Sequence, residues 1–91
     1  MPLKWTRSAE RDLIRLHAFL APVNPRAAAE VVRQLMTAAK QLLTYPQIGV
    51  RLDEFAPRDV RRVFVGDYEL RYELTDTMIY VLRVWHARED R

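Results

Sequence analysis

The run VRRVFVGDYELRYELTDTMIYVLRVW, residues 60–85, decides the fold. Val60 to Val65, Tyr68 to Leu74 and Met78 to Trp85 are rich in β-branched and aromatic residues, the types that fit a pleated, half-buried surface. Gly66-Asp67 separates the first two runs and Thr75-Asp76-Thr77 the second two, and by length and type both are hairpin turns. Residues 60–85 therefore read as an antiparallel meander. In its middle strand Tyr68, Leu70, Tyr72 and Leu74 alternate with Glu69, Arg71 and Glu73. One face packs on an apolar layer and the other meets solvent or a partner.

Upstream of the meander, residues 50–59 hold Arg51, Asp53, Glu54, Pro57, Arg58 and Asp59, which is loop chemistry. Before that loop the period changes from two to 3.6. Ala28, Val32, Leu35, Ala39 and Leu42 form one apolar stripe, widened by Val31, Met36 and Leu43. Asn24-Pro25 opens this helix with a capping side chain and a residue preset for the first helical position; Tyr45-Pro46 closes it, and Gly49 permits a sharp turn. An earlier helix carries Ala9, Leu13, Leu16 and Leu20, with Ser8 as its expected cap and Glu10 and Asp12 in the favoured first turn. Pro22 stops it, so the short connection implies an antiparallel helical hairpin. Leu3 to Thr6 reads as a first strand.

Ninety-one residues allow a single domain, residues 1–91. The absence of cysteine rules out a disulfide scaffold or thiolate metal site, and His17 and His86 lie too far apart for a metal-ligand spacing, so no metal or cofactor is expected. No apolar run approaches the roughly 20 residues of a membrane span, and a soluble cytoplasmic protein is expected. The net charge of +3 is unevenly spread: residues 1–50 hold seven basic and three acidic side chains, residues 51–91 eight and nine. The excess is too small and dispersed for a dense nucleic-acid stripe. Arginine dominates the cations, which suits planar, forked contacts to carboxylate or phosphate.

The ordered set of Trp5, Ala9, Asp12-Leu13, Asn24-Pro25, Ala28, Leu42, Tyr45-Pro46, Gly49, Arg61-Arg62-Val63, Tyr68, Tyr72 and Val84-Trp85-His86 resembles the RelE/ParE toxins of bacterial type II toxin–antitoxin modules. The resemblance spans nearly the whole chain. It implies an α+β fold of order β-α-α-β-β-β, a helical hairpin on a small, mostly antiparallel sheet. It also implies a cognate antitoxin of the ParD or RelB kind, in a hetero-oligomeric complex. Two activities occur in the family. The ParE branch poisons DNA gyrase without a known catalytic set; the RelE branch cuts messenger RNA on the ribosome.

Cleavage through a 2′-hydroxyl needs a base, a cation for the phosphate and an acid for the leaving oxygen. Arg62, Arg83 and His86 are the residues that can fill those roles. Against this, Glu69 and Glu73 flank Arg71, and the chain closes Arg88-Glu89-Asp90-Arg91 with no terminal tyrosine. The ParE-like reading, gyrase inhibition, is therefore the expectation, with the ribonuclease as the alternative. Target-contact candidates are Arg61, Arg62, Arg71, Arg83, His86 and Arg88. Arg61 and Arg62 must point to opposite faces, so one can be anchored by Glu69 or Asp59 while the other is free; Arg71 is expected in a cross-strand ion pair. Tyr68, Tyr72, Trp5, Phe19 and Trp85 are expected in the core. Leu52, Phe55, Val63 and Val65 are candidates for an antitoxin-binding surface on the open face or an edge.

Overall fold

The computed structural model describes residues 1–89, which places Asp90 and Arg91 of the terminal segment outside the described residues. Strand β1 (Leu3–Trp5) leads into helices α1 (Arg7–Leu20) and α2 (Pro25–Gln41); β2 (Val50–Arg51), β3 (Asp59–Val65), β4 (Tyr68–Leu74) and β5 (Ile79–His86) follow. The sheet order is β1-β5-β4-β3-β2, with β1 parallel to β5 and every other pairing antiparallel. The meander and the hairpin stand as the sequence patterns imply. Two helices cover one face of the sheet, and the fold is α+β.

The core lies between the helix stripes and the inward residues of β4 and β5: Ala9, Leu16, Leu35, Ala39 and Leu42 meet Leu70, Tyr72, Ile79, Val81 and Val84. Tyr72 is fully buried, donates its hydroxyl proton to the Pro46 carbonyl (2.8 Å) and accepts from the Gly49 amide (2.9 Å). That phenol ties the loop after α2 to the middle of the sheet. Gly49 is required there by space, since a Cβ would lie 2.7 Å from the Tyr72 hydroxyl and 2.8 Å from the Arg62 carbonyl oxygen. Gly66 in the β3–β4 turn has φ +59°, a conformation that side chains with a Cβ rarely adopt.

Several local expectations are corrected. The cap of α1 is Thr6, whose Oγ1 accepts from the Ala9 amide at 3.1 Å, and not Ser8. Thr6 suits the position because its hydroxyl also donates to the carbonyls of Val81 and Leu82, stitching helix to sheet. Residues 50–59 are more than a loop: they contribute a fifth strand and a 3₁₀ turn at Asp53–Phe55. Met36 on α2, Leu43 in the turn after it and Phe19 on α1 are exposed. Trp85 is buried as expected, but the register pairs it with Glu69, on the sheet face turned away from the helices.

Candidate functional site

Hairpin arithmetic assembles a cluster on that helix-free face. The two-residue turn Gly66-Asp67 pairs Val65 with Tyr68, and stepping back three places sets Arg62 opposite Arg71. Between β4 and β5 an uninterrupted register from Leu74–Ile79 would set Arg71 opposite Leu82. A β-bulge between Arg71 and Tyr72 shifts it by one, so Arg71 faces Arg83. A slip of one residue exchanges the two faces of a strand, and the bulge is therefore what brings Arg83 into the row. Arg62, Arg71 and Arg83 lie in register across three adjacent strands.

Like charges side by side repel, and aromatic rings and carboxylates offset this here. The Arg71 guanidinium lies 4.9 Å from the Trp85 ring centroid and 5.5 Å from that of Phe55; Arg83 lies 5.3 Å from Trp85, and Arg62 5.3 Å from Phe64. Arg71 Nη2 donates to Glu69 at 3.0 Å. This pair is formed two residues apart on one strand, where a cross-strand partner was expected; Glu73 instead accepts from Arg58 (2.7 and 3.1 Å). The hydrogen bond from Arg58 lowers the Glu73 pKa against the opposing effect of burial.

Arg83 is held by Asp12 of α1, a residue only 4% exposed. Arg83 Nε and Nη2 donate to the carboxylate at 2.8 and 3.1 Å, Arg15 Nη2 donates at 3.3 Å, and the Val84 amide donates at 2.8 Å. Burial pushes the Asp12 pKa upward. The bonds from Arg83, Val84 and Arg15 outweigh it and hold the carboxyl below its ordinary value. Because β1 pairs with β5 only through Val81, this carboxylate also satisfies an amide that the sheet edge leaves open. In sequence Asp12 reads as a helix-dipole residue, and nothing local signals its role 71 residues away.

The remaining candidates separate by face. Arg61 points toward the helix side, donating to Asp59 (2.9 Å) and to the carbonyls of Gln47 and Gly49 (both 3.1 Å), and is thus the anchored member of the pair. Arg62 has no carboxylate partner among the described residues. His86 lies on the helix side: it pairs with Tyr68, its ring meeting the Tyr68 ring edge-on at 5.1 Å, and its Nδ1 accepts from the Arg88 amide at 3.0 Å. The structure therefore brings Arg62, Arg71 and Arg83 together and leaves His86 and the exposed Arg88 apart from them. Of the antitoxin candidates, Leu52 is buried, Phe55 stacks on Arg71, and Val63 and Val65 line a groove beside the free end of β3. Among the described residues no group of His, Asp and Glu could hold a metal, and no helix is long and apolar enough to cross a membrane.

Two helices on one face of a five-stranded mixed sheet, with an arginine row on the bare face, define a small two-layer α+β domain. Residues 3–91 match the model of the "ParE toxin of type II toxin-antitoxin system, parDE" family, and the chain belongs to that family. Two toxins of Caulobacter vibrioides are similar in sequence: RelE2, 34% identical over 91% of each chain, and RelE1, 33% identical over 91% of this chain and 89% of that one. Among solved structures, a chain of the chromosomal ParDE system of P. aeruginosa superposes with a TM-score of 0.79 at 24% identity, covering 94% of this chain and 95% of that one. A chain of the RelBE2 toxin–antitoxin complex of Mycobacterium tuberculosis gives 0.59 at 30% identity, covering 93% and 88%.

Proposed function

We propose that this toxin acts as a ParE-like inhibitor of DNA gyrase and is neutralised by a cognate antitoxin of the ParD or RelB kind in a hetero-oligomeric complex. One observation carries the choice: the arginine row and His86 stand on opposite faces of the sheet. Cleavage of RNA needs its cation and its proton-transfer group around one phosphate. Here the row is a stacked platform of arginine and aromatic rings, a composition typical of protein contact centres. Two of its three charges are already met by Glu69 and Asp12, which weakens it as a grip for a phosphate backbone. The antitoxin partner is supported by the two solved relatives, which come from toxin–antitoxin systems.

The test is a supercoiling assay with purified gyrase, ATP and relaxed plasmid. Inhibition is expected, with cleaved DNA trapped and with relief by antitoxin. No effect from folded protein that arrests growth in cells would overturn the gyrase reading. The second reading, ribosome-dependent cleavage of messenger RNA, is favoured by the kinship to toxins named RelE. It predicts that His86→Ala lowers cleavage about 10²-fold, the scale of a lost general acid or base. Under the gyrase reading His86→Ala keeps its toxicity, whereas Arg62→Ala weakens it.

A further inference from the structure

β5 runs for eight residues and β1 for only three, so the edge of β5 beyond Val81 has no strand beside it. Side chains take the place of the missing strand. Asp12 accepts from the Val84 amide, and Arg15 Nη2 donates to the Val84 carbonyl at 3.3 Å. Two residues on, alternation turns the His86 amide to the same edge, where it donates to one carboxylate oxygen of Glu89 at 2.8 Å. Arg15 Nη1 donates to the other oxygen of that carboxylate, while Arg15 Nη2 is fixed by Asp12 and the Val84 carbonyl. An oriented guanidinium and an edge amide thus make a seat with one donor for each oxygen of a carboxylate. The chain fills it with its own Glu89.

Beside the seat lies a cavity of about 470 Å³, lined by Phe19 and Leu20 at the end of α1, by Tyr68 and His86, and by Arg15 and Glu89 themselves. The Tyr68 and His86 rings meet edge-on in its wall, and Phe19 is an apolar ring left exposed at it. Burial first, and then the charges of Asp67 and Glu89, raise the pKa of the Tyr68 phenol, which stays neutral and able to donate to an anion. Mostly apolar walls with a few fixed polar groups are the composition of small-molecule sites, and the volume falls in their range of roughly 300–1,000 Å³. We infer that this cavity binds a small amphipathic carboxylate. Its apolar body lies among Phe19, Leu20, Tyr68 and His86, and its carboxylate takes Arg15 Nη1 and the His86 amide from Glu89, which is an internal competitor for the seat. The site shares no residue with the arginine row, so it stands apart from the choice between gyrase and messenger RNA as target.

The probe is hydrocinnamate, titrated into the purified full-length toxin at neutral pH and followed by NMR shifts. Saturable shifts are expected at the His86 amide and the Leu20 methyl groups. Hydrocinnamyl alcohol, which lacks the charge, and acetate, which lacks the apolar body, are each expected to bind at least about tenfold more weakly. Glu89→Ala is expected to tighten hydrocinnamate binding about tenfold, Arg15→Gln to weaken it about tenfold and Phe19→Ser about threefold, with thermal melts confirming that each variant is folded. The sign of the Glu89 effect separates a competitor from a clasp: a residue that only holds the end of the chain in place would loosen the cavity when removed and weaken the probe. Weaker binding to Glu89→Ala, acetate binding as tightly as hydrocinnamate, or no saturable shift in either wild type or Glu89→Ala would each overturn the inference.

Discussion

Asp12 joins α1 to β5 through one carboxylate: it caps an open amide of β5, clamps Arg83 and draws in Arg15. Replacement by Asn keeps the size but removes the charge that two guanidinium groups share. Asp12→Asn is expected to lower stability by about 1–3 kcal/mol, the cost of breaking hydrogen bonds to charged groups, read as a lower urea midpoint. The neighbouring arginines of β3 divide differently. Arg61→Ala strands two carbonyls and Asp59 and is expected to cost about 1–2 kcal/mol, whereas Arg62→Ala stays within about 0.5 kcal/mol in the same unfolding measurement. Gly49→Ala drives a Cβ against the Arg62 carbonyl oxygen, which cannot swing aside as a side chain can; about 1–3 kcal/mol of destabilisation is expected in thermal melts. The sequence showed that Arg61 and Arg62 diverge, because a strand alternates. Which one is anchored depended on carbonyls at Gln47 and Gly49, in a loop whose path no periodicity records.

At the level of elements, the strongest patterns were legible. Seven residues of alternation, a Gly-Asp turn and an Asn-Pro start each carry their own geometry, and the meander and α2 follow from them. Asn24→Ala is expected to lower stability by about 1 kcal/mol, since the Asn24 side chain accepts from the Ala27 amide at 3.0 Å; a smaller unfolding free energy with an unchanged urea m-value checks it. β2 was not legible, because two residues have no period. Nor was the β-bulge, and it decided the site. The Arg62–Arg71 pairing can be counted from the hairpin turn, but Arg83 joins the row only through an extra residue in β5 that leaves no mark in composition. Glu69 shows the same limit: alternation assigns it to the open face, yet it is fully buried there, beside Arg71 and opposite Trp85.

Across the whole molecule, charge pairing sets the response to acid. The folded-state pKa values of Asp12 and Glu73 are depressed, by Arg83, Val84 and Arg15 against the larger single effect of burial for Asp12 and by Arg58 for Glu73. A depressed carboxyl contributes stability that is fully present above its unfolded value, near pH 4, and is lost as pH falls through its folded value. Urea midpoints are therefore expected to be level from pH 7 to 5 and to fall below about pH 4, with Asp12→Asn shrinking that fall.

The parallel pairing of β1 with β5 has a consequence in time. Leu3, Lys4 and Trp5 find their partners at Ile79, Tyr80 and Val81, more than seventy residues downstream, and β5 lies between β1 and β4 in the finished sheet. Contacts of such high sequence separation form late and slow folding. During synthesis the sheet therefore stays incomplete until the last strand is made, and Arg83 joins Arg62 and Arg71 only when β5 emerges. A nascent toxin stalled before Ile79 should be digested readily by protease and leave growth unaffected. The latency belongs to the topology itself.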